Sequence, residues 1–383
     1  MRILVTADTV GGVWTYAREL VNRLVGKGFD VVLVSFGNIP SSEQIQWMDG
    51  LPRIDYRPTA FKLEWMQDSE DDLRASAEYL QAVIDKTIPD LLHLNQFYYG
   101  ALECPVPRLV VAHSDVVSWW VAVHGCEPPD SAWMRWYRAI VQRGITNATA
   151  VVAPSQWMLD QISRYFAPAK QAAVIYNGRT PSLFHSDHIK ENLITTVGRL
   201  WDPGKNAALL LQGKMPWPVC IVGSDTQPES EARTAERYKS APGAQFLPQQ
   251  SEEELSELLG RTAIYAAVSR YEPFGLAPLE AALSGCAVVA SDIESLREIW
   301  GNAAVFFRNN DPESLRNALT RLKEDPVFRQ IFANRACDHA RRWFSAERMV
   351  EQYANLYRKL LAEKTDLEVQ RESLGSEMEA QQG

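Results

Sequence analysis

Short apolar, β-branched runs alternate along this chain with longer segments in which apolar residues recur at helical spacing. The alternation predicts repeated strand–helix–strand units. Strands are predicted at 2–6, 31–35, 91–94, 108–112 and 150–153, then at 194–197, 218–222, 263–268, 287–290 and 304–307. Continuous apolar runs such as Ile264–Val268 mark strands buried on both faces, as in a parallel sheet. The clearest helix is 13–26, with Val13, Ala17, Leu20, Val21 and Leu24 on one face and Gly28 as its terminator.

The polar stretch from Asn177 to Asn192 carries Asn-Gly, Pro181, two histidines and an aspartate, and reads as a loop and hinge. It places a domain boundary near 172–178. The expected units are 1–173, 174–345, a long amphipathic helix over 346–364 with Met349, Tyr353, Leu356, Tyr357 and Leu360, and a polar, disordered tail over 365–383. Two doubly wound α/β domains in series predict a ligand crevice outside the carboxyl ends of their strands.

Composition narrows the class. A length of 383 residues, 46% hydrophobic and 23% charged, supports two sizeable cores. The net charge of -9 argues against general nucleic-acid binding, which needs a basic face. Five scattered cysteines without a C-x-x-C pair read as reduced thiols of a cytoplasmic protein. No signal-peptide pattern or membrane-length apolar stretch is seen, so at most peripheral membrane contact is expected. There is no D-x-D, and no His/Cys/Asp group has metal-ligand spacing, so no metal or other cofactor is expected.

Arg270-Tyr-Glu272-Pro-Phe274-Gly275-Leu276-Ala-Pro-Leu-Glu280 runs from a strand end through a Gly/Pro loop into a helix that Gly285 ends. Backbone N–H groups at such a helix start attract anions, and Gly275 admits a close approach to the backbone. Glu272 and Glu280 can accept hydrogen bonds from sugar or ribose hydroxyls. Taken singly, each is more ordinarily a solvated or surface-paired glutamate.

A second strand end opens Gly198-Arg199-Leu-Trp-Asp-Pro-Gly204-Lys205-Asn206, where Arg199 offers a planar fork and Lys205 a point charge for a diphosphate. Five residues separate Gly198 from Gly204-Lys205 and Asn206 follows, so this is no P-loop. In the first half, Gly11-Gly12 lies between strand one and helix one without completing G-x-G-x-x-G.

Together the E-x7-E element around Pro-Phe-Gly-Leu and the ordered G-R-L…K-N element resemble family 4 retaining glycosyltransferases of the GT-B fold. The resemblance covers about residues 1–363 and includes Val152-Ala-Pro154-Ser155, Asn177-Gly178 and Asp292…Glu298. The spacing before Lys205 departs slightly from the family pattern. The resemblance implies two Rossmann-like domains facing across a cleft, with the long helix crossing back to the first. It implies transfer of a hexose from a UDP- or GDP-linked donor to a hydroxyl acceptor such as a glycan, a lipid-linked sugar or a small molecule.

Implied donor residues are Gly11, Gly12, Arg199, Lys205, Leu247, Glu272, Phe274, Gly275, Leu276 and Glu280, with Glu280 on the ribose. His113, Glu272, Arg199 and Lys205 would serve the reaction. Trp14, His93, Asp115 and Trp119 would lie on the acceptor side. Ordinary packing remains the alternative for the tryptophans and for His93. A sugar-nucleotide epimerase, a phosphorylase or a non-catalytic glycan-binding scaffold would share these features.

Overall fold

The computed structural model describes residues 1–227 and 243–380, the last fourteen of these (367–380) by backbone only. Two wholly parallel sheets form the core. The first has seven strands: β1 (Arg2–Asp8), β2 (Asp30–Phe36), β3 (Ile54–Pro58), β4 (Leu91–Leu94), β5 (Arg108–Val111), β6 (Ala150–Ala153) and β7 (Ala172–Val174). They lie in the order β3-β2-β1-β4-β5-β6-β7. The second has six: β8 (Glu191–Val197), β9 (Val219–Val222), β10 (Ala244–Leu247), β11 (Thr262–Ala267), β12 (Ala287–Ser291) and β13 (Val305–Phe307), in the order β10-β9-β8-β11-β12-β13. Each sheet is doubly wound, and the order in which strands are added reverses between β1 and β4 in one and between β8 and β11 in the other. A crevice opens at such switch points.

The predicted central strands are all present. β3, β7 and β10, which were not predicted, are edge strands with half-exposed sequences such as Ile-Asp-Tyr-Arg-Pro. An edge strand needs no continuous apolar run, and charge and proline on it discourage pairing with other chains. β7 pairs with β6, so the first sheet ends at Val174, and the linker follows.

Helix Gly12–Gly26 buries Trp14, Ala17, Leu20, Val21 and Leu24, and Gly28 turns the chain at φ 87°. Its outer side receives the C-terminal helix Ala346–Ala380: Met349, Tyr353, Tyr357 and Leu360 share one core with Leu20, Val21 and Leu24. Arg23 and Lys27 pair with Glu347, and Lys27 also reaches Glu351. The last helix thus returns to the first domain. Its backbone continues as helix past Lys364 to Ala380, where a disordered tail was expected; that segment is rich in Glu, which favours helix.

The chain passes between the domains twice, and the two passages touch. Arg179 N donates to Phe344 O at 3.0 Å and Ala346 N to Arg179 O at 2.9 Å. A Cβ on Gly178 would lie 2.3 Å from Ser345 O, so only glycine allows this approach. No helix among the described residues is long and apolar enough to cross a membrane.

Candidate functional site

Gly11, Gly12, Arg199 and the loop from Glu272 to Leu276 gather at the two switch points. β1 leads into Asp8 and the Gly11-Gly12 loop, and β4 into Asn95 and Gln96. On the opposite side β8 leads into Gly198-Arg199 and β11 into the Glu272 loop. The two lips meet: a Cβ on Gly11 would lie 3.6 Å from Arg199 Nη1, and one on Gly12 3.5 Å from Leu276 Cδ1. Bare backbone on one side therefore faces a guanidinium and a helix start on the other.

On the second-domain lip, Lys205 Nζ donates to Glu272 Oε2 at 2.7 Å, and Ser269 Oγ donates to the same oxygen at 3.1 Å. Arg199 Nη2 donates to Asp202 Oδ2 at 2.8 Å, and its guanidinium lies 5.1 Å from the centre of the Trp201 ring. Burial pushes the Asp202 carboxyl up, but Arg199 and Lys205 outweigh it and hold the group below its ordinary range. Both cations thus rest on carboxylates that an entering diphosphate can replace.

Gly275 takes a left-handed φ of 93° as the N-cap of helix Leu276–Leu283, and a Cβ there would lie 2.7 Å from Pro278 Cγ. Phe274 turns its ring into the core, edge-on to Phe344 at 5.3 Å, so only its backbone faces the loop. Leu247 ends edge strand β10, and its carbonyl accepts from Gly223 N at 3.0 Å.

On the first-domain lip, His113 Nε2 lies 2.8 Å from Asn95 Oδ1. Asn95 Nδ2 donates to Thr6 O, so its Oδ1 is an acceptor and His113 Nε2 carries the proton. Nδ1 remains to accept a hydrogen bond from a hydroxyl. Burial pushes the imidazole pKa down to about 3, so His113 is neutral and acts by hydrogen bonding.

Three of the four acceptor-side expectations are corrected. Trp14 is buried, packs on Trp47 and Tyr56, and donates Nε1–H to Gln44 O at 3.3 Å, so no ring face remains for a sugar. His93 is fully buried in β4 between the Tyr16 and Tyr357 hydroxyls, because its side chain falls on the face covered by the helices. Asp115 caps helix Val116–His124, accepting from Val117 N and Ser118 N at 2.8 Å each. Trp119 remains at the cleft and crosses it, donating Nε1–H to Asp202 Oδ1 at 3.0 Å.

Glu280 is also not open to solvent as a surface carboxylate would be: it is buried, with Oε1 2.9 Å from Arg179 Nε. Burial pushes its carboxyl up, and Arg179 and Arg18 pull it back only in part.

Sequence reasoning missed Asp8, Glu64, Asp202 and Arg179. Burial raises the Asp8 carboxyl to about 6 and the Glu64 carboxyl to about 7, although Glu64 accepts from Phe97 N and Tyr98 N at 3.0 and 2.8 Å. Asp8 was findable, since it ends the strand at the switch point; Glu64 sits in a loop with no pattern.

One group with metal-ligand spacing does form among the described residues. Ligand atoms of His185, Asp187 and His188 lie within 4.8 Å of one another. They precede β8, at the amino ends of the second sheet and away from the cleft.

Two family models divide the chain. Residues 10–183 match glycosyltransferase family 4, and residues 188–343 match glycosyl transferases group 1. A Salmonella typhimurium O-antigen chain mannosyltransferase is 26% identical over 54% of this chain, and the match spans 61% of that relative's own length. A Mycobacterium tuberculosis glycogen synthase is 24% identical over 88% of this chain and 89% of its own.

Among solved structures, a Thermosynechococcus elongatus sucrose-phosphate synthase superimposes with a TM-score of 0.77 at 19% identity, covering 94% of this chain and 99% of that one. Anabaena HepE in complex with UDP-glucose superimposes with a TM-score of 0.72 at 16% identity, covering 94% and 100%. With its two facing, doubly wound sheets, the chain is a glycosyltransferase of the GT-B type.

Proposed function

We propose that this chain is a family 4 retaining hexosyltransferase that takes its sugar from a nucleotide diphosphate donor and passes it to a hydroxyl acceptor without a metal ion. The observation that carries the reading is the meeting of the Gly11-Gly12 backbone with Arg199 and Leu276 across the two switch points. UDP leads the donor candidates, since Anabaena HepE, of the same fold, is described with UDP-glucose.

Cleavage at the anomeric carbon builds negative charge on the departing diphosphate. Arg199, Lys205 and the free N–H groups at the start of helix Leu276–Leu283 would stabilise it. As the diphosphate displaces it from Lys205, Glu272 becomes available to the sugar hydroxyls. The acceptor oxygen adds to the anomeric carbon from the face that the diphosphate leaves, and a departing phosphate oxygen takes the acceptor proton. His113 Nδ1 would accept from a hydroxyl of the transferred sugar. Glu280 would accept from the ribose.

A thermal-shift panel with UDP, GDP, ADP, their glucose and mannose conjugates, and NAD tests the reading. A ligand at about 100 times its Kd adds roughly 2.7 kcal/mol of stability. A shift with one nucleotide family, unchanged by EDTA, supports the transferase and names the base. A folded protein that no nucleotide stabilises would be a glycan-binding scaffold instead.

A further inference from the structure

Behind the cleft, four charged side chains from three helices gather around Arg179, which is 1% exposed. Its Nη1 lies 2.6 Å from Glu19 Oε1 and its Nε 2.9 Å from Glu280 Oε1; Nη2 donates to Glu252 Oε2, which Arg18 also contacts. Glu19 is further held by Thr180, through N at 3.1 Å and Oγ1 at 2.7 Å.

The placement is specific. Glu19 lies two turns into the helix that begins at Gly12, and Glu280 one turn into the helix that begins at Leu276. Those two helix starts form the cleft lips. Arg179 itself stands where the two passages between domains touch, with its N–H and C=O both bound to the second passage. One guanidinium therefore ties a first-domain helix, the linker and two second-domain helices together.

A buried guanidinium among three carboxylates is a poor source of stability by itself, since each charge loses its hydration. It still confines the carboxylates: Nη1 and Nη2 hydrogen-bond Glu19 and Glu252, which fixes the plane of the fork, and Nε then holds Glu280 in an ion pair at 2.9 Å. Glu280 meets Arg179 through Oε1, 2.9 Å from Nε.

We propose that Arg179 is a positioning residue for the donor: it holds Glu280 by one oxygen so that the other meets a ribose hydroxyl, and Glu19 and Glu252 hold Arg179 in place. This rests on the transferase reading above. It predicts that recognition of the ribose, rather than of the base or the diphosphate, depends on a residue that touches no ligand.

The test is titration calorimetry on the full chain with the nucleoside diphosphate that the panel identifies and its 2′-deoxy and 3′-deoxy forms. The wild type should bind the ribo form at least about tenfold more tightly than the weaker deoxy form, as expected when a buried acceptor is left unpaired. Arg179→Lys keeps the charge but cannot bridge three carboxylates. It should weaken ribo binding until the preference falls below about threefold, with deoxy binding unchanged.

Should Arg179→Lys not fold cooperatively, Glu252→Gln decides, because Glu252 is partly exposed and pairs only with Arg179 and Arg18 among the described residues of this cluster. A reduced preference supports the proposal. A preference kept intact in a folded variant, or none in a wild type that binds nucleotide, overturns it and leaves the transferase reading standing. A wild type that binds no nucleoside diphosphate defeats both.

Discussion

His93 Nδ1 lies 2.6 Å from the hydroxyl of Tyr357, a residue 264 positions later in the chain, with Tyr16 OH 3.1 Å from Nε2 on the other side. The pair fastens the C-terminal helix to the centre of the first sheet. It gives His93 a structural task in place of the acceptor-side role that the resemblance implied.

Tyr357→Phe should leave one buried ring nitrogen of His93 without a partner. The expected cost is about 1–3 kcal/mol, read as a lower denaturation midpoint. Nucleotide affinity should be unchanged. An unaltered midpoint would mean that the imidazole finds another partner.

Lys205→Ala and Arg199→Ala should each lower kcat by about a hundredfold to a thousandfold, the usual cost of removing one donor to developing negative charge. Glu272→Ala should also abolish transfer. If the folded variants retain full activity, the diphosphate lies elsewhere.

Stability should depend on pH through Glu64, whose carboxyl burial raises to about 7. Between the unfolded value of about 4.3 and that point the native state binds the extra proton, so this group's contribution is lost as pH rises. In Glu64→Gln the loss disappears, and the variant should gain on the wild type by up to about 1.4 kcal/mol per pH unit across that window. His93 and His113, pushed down to about 3 by burial, act in the opposite sense. The unfolded chain protonates them below about 6.5 while the native state does not, so their contribution falls as pH drops. Urea unfolding at pH 5, 6 and 7 separates the two.

Trp14→Ala should destabilise the fold by about 3–5 kcal/mol, as for other large core residues. Trp14→Phe should fold and leave the KM for the acceptor unchanged. A raised KM in the folded Phe variant would return Trp14 to the acceptor site.

The linear order of the residues determined the strands buried on both faces, because a short, continuous, β-branched apolar run bounded by turn residues is best buried as a central strand. It also determined the two loops in which Arg199, Lys205 and Glu272 stand, since strand end, glycine and helix start are local features. β3, β7 and β10 escaped because an edge strand meets solvent and needs no such run. Whether a strand-end side chain faces the cleft or the core was decided only by tertiary packing. His93 lies within a short apolar strand and His113 just beyond one, and the first is enclosed by Tyr16 and Tyr357 while the second borders the crevice with Asn95. The same holds for Glu280. Its spacing from Glu272 is written in the sequence, but Arg179 lies 101 positions before it, and only the folding of two domains around a linker brings the guanidinium to its carboxylate.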